Sequence, residues 1–204
     1  MRLAVLGPVA VTGRDGDVPI TPRQAREIIT LLALAHPRAT SVDELIDALW
    51  DDPPAAAAKS VQANLSRARR ALVAAGAGPP AIAGGPAGYR LAGDIDVDVS
   101  EFRALTTAAE RALAADAWTL AIDGLRRARA LLRGAPELPD TTVAHGHRRW
   151  VEDAEATSSE DLAEALIAAG RIAEALRELD TALAAHPLRE RLWALRMVAL
   201  ARGG

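Results

Sequence analysis

The sequence predicts a mainly α-helical protein with a small β component. It reads as a winged helix-turn-helix (an N-terminal β-sheet, three helices and a β-hairpin wing) followed by a tetratricopeptide-like all-α domain. Three observations predict this. Extended, turn-punctuated runs are confined to residues 2–20 and to the stretch just after Gly76. Between them lie three stretches with apolar residues at three- and four-residue spacing. Beyond Val99 the strand signals stop and long Ala/Leu/Arg segments take over. A boundary is expected within "GDIDVDV" at 93–99, dividing a domain over 1–93 from one over 99–204.

Taken in order, "RLAVL" is apolar, "GPVAVTG" follows a Gly-Pro break, and "GRDGD" is a turn leading into "VPI". The first helix begins near Thr21-Pro22, with Thr21 as N-cap and Pro22 at the first helical position, where its missing N–H costs nothing. Ile28, Leu31, Leu32 and Ala35 form its buried stripe, and Pro37 ends it. "SVDELIDALW" opens a second helix, because Ser41 and Glu44 stand in the S-x-x-E relation of a capping box. Its Leu45, Ile46, Leu49 and Trp50 face inward. "DDPP" at 51–54 is a loop, and a third helix covers about Ala56 to Ala75, closing at Gly76. "AIA" and "YRLAG", joined by "GGPAG", have the chemistry of a hairpin. Further helices are expected over 100–115, 117–133, 147–169, 171–185 and 188–202, broken by Gly134, Pro136, Pro139, Gly170 and Pro187. "AWTLAIDGLRRARALLRG" and "GRIAEALRELDTALAAHP" share Ala and Leu at helical spacing closed by Gly or Pro, the pattern of paired-helix repeats. His36 and His186, each before a proline at a helix end, read as caps. Trp50, Trp118, Trp150 and Trp193 read as core or packing edges.

Composition narrows the function classes. At 204 residues, half of them apolar, the chain has material for one or two domains. It has no cysteine, so disulfides and thiolate metal sites are excluded. No window of 18 apolar residues offers a membrane span, and the N-terminus reads as a strand rather than a signal peptide, so a cytoplasmic protein is expected. Net charge conceals a segregation. Asp43 to Asp52 holds five acids and no base, Pro53 to Gly93 five bases and no acid, and the chain from Asp94 onward 19 acids against 14 bases. Non-specific polyanion binding by the whole chain is not expected, whereas a local anion-binding surface is.

That surface centres on "SVQANLSRARRAL", Ser60 to Leu72. On a helical wheel Val61, Leu65, Ala68 and Leu72 cluster within about 60 degrees as a buried stripe. The opposite side carries Lys59, Ala63, Ser66, Arg67 and Arg70, flanked by Gln62 and Arg69. Gln, Ser and Arg are the side chains that bond base edges and phosphates. A solvated basic face is the alternative. The order of elements favours the first reading, since in a winged helix the third helix enters the major groove and the hairpin, here carrying Arg90, reaches an adjacent groove or backbone.

The stretches "LGPVAV", "PRQAREIITLLALAHPRATSVDELIDALWDDPPAAAAKSVQANLSRARRAL", "GYRL" and "HPLRERLWALRMVAL" resemble the Streptomyces antibiotic regulatory protein (SARP) family. Its members pair an OmpR-type winged helix with a bacterial transcriptional activator domain of tetratricopeptide-like helices. The resemblance implies an activator of secondary-metabolite genes that binds direct repeats in double-stranded DNA near a promoter, as a homodimer, and contacts RNA polymerase. It implies DNA contacts at Gln62, Ser66, Arg67, Arg69 and Arg70, with Lys59 near the helix start, Arg90 on the wing, and Arg23 as a weaker phosphate contact. It places the polymerase contact on Asp51, Asp52, Pro53 and Pro54, an acidic rigid knob whose alternative is a plain connecting loop. The sequence departs from the family at Asn64, where an aromatic is expected, at Ala68, where a larger apolar residue is expected, and in "LPDTTVAHGHRRW". The family's activator domain normally continues about one and a half helix pairs beyond "ALARGG". A shortened domain is therefore expected, exposing Leu192, Leu195 and Val198 on its last helix and inviting dimerisation.

"HGH" at 145–147, with Glu152 or Asp153, is a weak metal signal, and no nucleotide-binding motif or catalytic constellation occurs. Neither cofactor nor enzymatic activity is expected. Two rivals to the activator reading are a protein-interaction scaffold and an accessory module of a larger ATPase-type regulator.

Overall fold

The computed structural model describes residues 1–14 and 16–203, so Asp15 of the expected "GRDGD" turn lies outside the described residues. The chain forms two compact units, one of Met1–Glu101 with Arg133–Val151, the other of Phe102–Leu132 with Glu152–Gly204. Compactness therefore does not follow a single cut near 93–99.

In the first unit, β1 (Arg2–Ala4) pairs antiparallel with β2 (Ala10–Gly13), placing Leu3 opposite Val11, and β2 pairs antiparallel with β3 (Gly16–Asp17). Leu3, Val5, Leu6 and Val11 are buried. α1 (Arg23–Ala35) starts one residue later than Thr21 would dictate. Pro22 is extended (ψ 178°) and serves as N-cap without a side-chain bond. From Glu27 to Leu34 every residue of α1 is buried, so it is the central helix of this unit. α2 (Val42–Leu49) carries the expected capping box: Glu44 N–H donates to Ser41 Oγ at 3.1 Å and Ser41 N–H to Glu44 Oε2 at 2.7 Å. Those backbone and Arg38 bonds hold the Glu44 carboxyl below its usual range. α3 (Ala57–Ala74) buries Val61, Leu65, Ala68 and Leu72 completely, as the wheel predicts.

The hairpin is β4 (Ile82–Gly85) with β5 (Gly88–Leu91), and β6 (Asp96–Val97) returns to pair parallel with β1. Residues 133–151 join this unit through specific bonds. Arg133 N–H donates to Leu6 O at 2.6 Å, Glu137 accepts from Val9 N–H at 3.0 Å and Arg26 Nε at 2.6 Å, and Thr141 Oγ1 donates to Ala48 O at 2.7 Å. Gly7 (φ +143°) is required here, since a Cβ would stand 2.8 Å from that of Arg133.

The second unit is helical. α4 (Asp98–Ala114) belongs to it from Phe102 and α6 (Thr142–Ala168) from Glu152, together with α5 (Trp118–Ala130), α7 (Ile172–Ala185) and α8 (Glu190–Gly203). Ile122, Leu125, Leu162, Leu166, Leu179 and Leu192 anchor its core. The repeat pattern has a backbone counterpart. After α4, Ala117 N–H reaches Ala112 O at 2.8 Å over a left-handed Asp116; after α6, Arg171 N–H reaches Leu166 O at 2.8 Å over a left-handed Gly170. α6 begins at Thr142 rather than near 147, so "HGH" is helical. Its start is capped from two sides: Thr141 Oγ1 accepts from Ala144 N–H at 3.2 Å, and Asp51 Oδ1 accepts from Thr142 N–H at 3.0 Å.

The expectation for α8 needs correction. Leu192 and Ala199 are buried and Leu195 is half-buried, while Val198 is exposed together with Trp193, Met197 and Leu200. The helix carries two apolar faces, and it packs against its own unit with the one holding Leu192. Trp193 is thus not a core residue; its indole N–H donates to Pro187 O at 2.9 Å.

Candidate nucleic-acid interface

The outer face of α3 is built by periodicity. With Val61, Leu65, Ala68 and Leu72 committed to the core, Lys59, Gln62, Ala63, Ser66, Arg67 and Arg70 must face solvent, and all are exposed. No acidic residue occurs between Pro53 and Gly93. Among the described residues, Lys59, Arg67, Arg69, Arg70 and Arg90 take part in no ion pair. Arg90 is exposed on β5, opposite Ala83.

Three candidates prove to be engaged within the protein, Arg69, Arg23 and, through Asn64, Arg67. Arg69 is half-buried; its Nε donates to Ile82 O at 2.9 Å and its guanidinium lies 5.3 Å from the centroid of the Tyr89 ring. It straps α3 to the hairpin. Arg23, at the first turn of α1, is exposed and donates to Glu27 at 2.7 Å. The hairpin is tied on its other side to the α1–α2 connection, where Thr40 and Tyr89 exchange two backbone hydrogen bonds of 2.8 Å each. Gly88 (φ +108°) permits this, since a Cβ there would collide with the Thr40 carbonyl.

Three residues outside the sequence-derived set belong to the site. Asn64, 3% exposed, donates from Nδ2 to Gln24 Oε1 at 2.6 Å and to Ser60 O at 3.0 Å, and accepts from Arg67 Nη1 at 3.1 Å. Ser60 Oγ also donates to Gln24 Oε1, at 3.1 Å. The only hint in the sequence is that a carboxamide occupies a place where an aromatic is expected.

Asp51, Asp52, Pro53 and Pro54 are all exposed, but Asp51 is committed to the start of α6. His145 Nε2 lies 2.8 Å from Asp140 Oδ1, and burial lowers the pKa of His147. Among the described residues no group of three or more His, Cys, Asp or Glu could hold a metal ion, and no helix is long and apolar enough to cross a membrane.

Comparison with known proteins agrees with this architecture. Residues 15–91 match the family model "Transcriptional regulatory protein, C terminal", and residues 97–204 match "Bacterial transcriptional activator domain". The regulatory protein AfsR of Streptomyces coelicolor is 36% identical over 214 residues, covering 100% of this chain and 20% of AfsR. The transcriptional regulator RedD of the same organism is 33% identical over 216 residues, covering 100% of this chain and 60% of RedD. The solved structure of Mycobacterium tuberculosis EmbR in complex with a low-affinity phosphopeptide superposes with a TM-score of 0.87 at 30% identity, over 99% of this chain and 55% of EmbR. The chain thus spans between a fifth and three-fifths of the length of these relatives. It belongs to the Streptomyces antibiotic regulatory protein family, with an OmpR-type winged helix followed by a bacterial transcriptional activator domain.

Proposed function

We propose that this chain is a sequence-specific DNA-binding transcriptional activator that acts in the cytoplasm as a homodimer on direct repeats. α3 enters the major groove, where Gln62, Ser66 and Arg67 face base edges while Lys59 and Arg70 neutralise phosphates. Arg90 on the hairpin reaches the adjacent backbone, and Arg23 adds a phosphate contact from the start of α1. Arg69 serves the interface by fixing the hairpin against α3. Asp52 and the two prolines of the "DDPP" loop are the polymerase-facing part, with Asp51 holding the loop in place. The observation that carries this reading is the exposed row Lys59–Gln62–Ser66–Arg67–Arg70, whose cations pair with no acid among the described residues. Selection of bound duplexes from a random pool tests it. The expected result is a spaced direct repeat, bound about tenfold more weakly by Arg70→Ala with unchanged thermal stability. Recovery of no preferred sequence would favour a protein-interaction scaffold.

A further inference from the structure

We propose that Asn64, held by Gln24, is a positioning residue that aims Arg67 at a base edge, and that Arg67 rather than Arg70 or Lys59 is the sequence-reading cation of α3. The inference rests on the DNA-binding reading above.

A carboxamide at a site 3% exposed is tolerated only if its polar atoms are bonded. Both donor hydrogens of Asn64 are used, one on Gln24 Oε1 and one on Ser60 O. The Ser60 carbonyl can only accept, so Nδ2 must point that way and Oδ1 must point outward. There it meets Arg67 Nη1 at 3.1 Å. Gln24 is itself fixed, because its Oε1 also receives the Ser60 hydroxyl. The chain of contacts thus runs from the second residue of α1, through the buried side of α3, to a guanidinium on the exposed face.

Arg67 keeps its full charge, since its partner is a neutral oxygen, and Nε and Nη2 remain free to donate. A guanidinium restrained at one nitrogen loses less freedom when it forms a forked pair of bonds. The adjacent O6 and N7 acceptors of guanine in the major groove match that fork. Lys59 and Arg70 have no such restraint among the described residues. Long mobile cations of that kind suit diffuse phosphate contact, which tolerates many geometries.

The test uses the full chain, the duplex recovered from the random pool and an unrelated duplex of equal length. Arg67→Ala is expected to erase preference for one G·C pair in each repeat. Asn64→Leu removes the acceptor at similar volume. It is expected to lower preference at that same base pair about tenfold, while the slope of log affinity against log salt stays at the wild-type value because Arg67 keeps its charge. In the Arg67→Ala background, Asn64→Leu should then have no further effect on that preference. Unchanged preference in a folded Asn64→Leu, or an equal loss in both backgrounds, overturns the inference. If Asn64→Leu fails to fold, Gln24→Ala carries the same two expectations, loss at that base pair supporting the inference and no loss overturning it. Failure of the wild-type chain to prefer any duplex overturns the DNA-binding reading itself and this inference with it.

Discussion

Arginine does opposite things in the helical unit and on α3. In the helical unit, Arg126, Arg129, Arg171, Arg189, Arg191 and Arg196 each lie within 4.0 Å of an aspartate or glutamate. Most of those pairs fasten one element to another: Arg126 and Arg129 of α5 reach Glu174 and Glu178 of α7, and Arg196 of α8 reaches Asp180 of α7. On α3 the same side chain is left without an acid. The difference lies in the placement of the carboxylates, which are excluded from the whole stretch between Pro53 and Gly93. An arginine surrounded by its own acids is a fastener, whereas one denied them is left for an external anion.

The largest effect that would sharpen this contrast is in salt. As proposed, two copies that each place Lys59, Arg70, Arg90 and Arg23 on phosphates should lose on the order of ten-thousandfold in DNA affinity between about 50 and 200 mM salt. Thermal unfolding over the same range should move little, because the partly buried pairs are less screened. Titrations by fluorescence anisotropy would check this, and a flat slope would break the contrast.

Next comes the fastener Arg189. It bonds Glu160 at 2.9 Å, Asp153 at 2.7 Å and Thr157 at 3.0 Å, and the Glu160 side chain is only 4% exposed. Arg189→Ala leaves that carboxylate only the longer 3.4 Å bond from Arg191 and should cost about 2 kcal/mol in urea unfolding, discounted for the partial exposure of Arg189 itself, with DNA affinity of the folded protein intact. A loss of DNA binding without loss of stability would mean that this unit's arginines also face outward.

The smallest effect concerns pH. Hydrogen bonds from Arg171 and Arg126 depress the pKa of Glu174 to about 2. Because the folded-state value lies below that of the unfolded chain, about 4.3, the stabilisation is present above that range and fades as pH falls toward 2. Glu174→Gln should therefore melt slightly below wild type at neutral pH, and the two curves should converge near pH 2. A constant offset down to that pH would show that the pair contributes through packing rather than charge.

Local chemistry was legible in the sequence where partners are close in the chain. The Ser41–Glu44 capping box, the Val61–Leu65–Ala68–Leu72 stripe and the hairpin around "GGPAG" all read directly from spacing. What escaped depends on distant partners. The early start of α6 needs Asp51, 91 residues away from Thr142, and residues 133–151 join the first unit through Leu6, Val9 and Ala48. Arg69 looks like its neighbours on a wheel until the hairpin folds beneath it. Asn64 looked like a defect because Gln24, 40 residues earlier, supplies its acceptor. On α8 both faces are apolar, and spacing alone does not say which one the core takes.

The hairpin is held at two points, by the Arg69 strap to Ile82 and Tyr89 and by the Thr40–Tyr89 backbone pair. Helix and hairpin backbones thereby become the two jaws of one caliper, with the restrained Arg67 on one jaw and the β5 strand that carries Arg90 on the other. A caliper of fixed opening gauges the width between two points on its target before any letter of the sequence is read. On the function proposed above, a duplex with the right bases and the wrong groove width would bind more weakly.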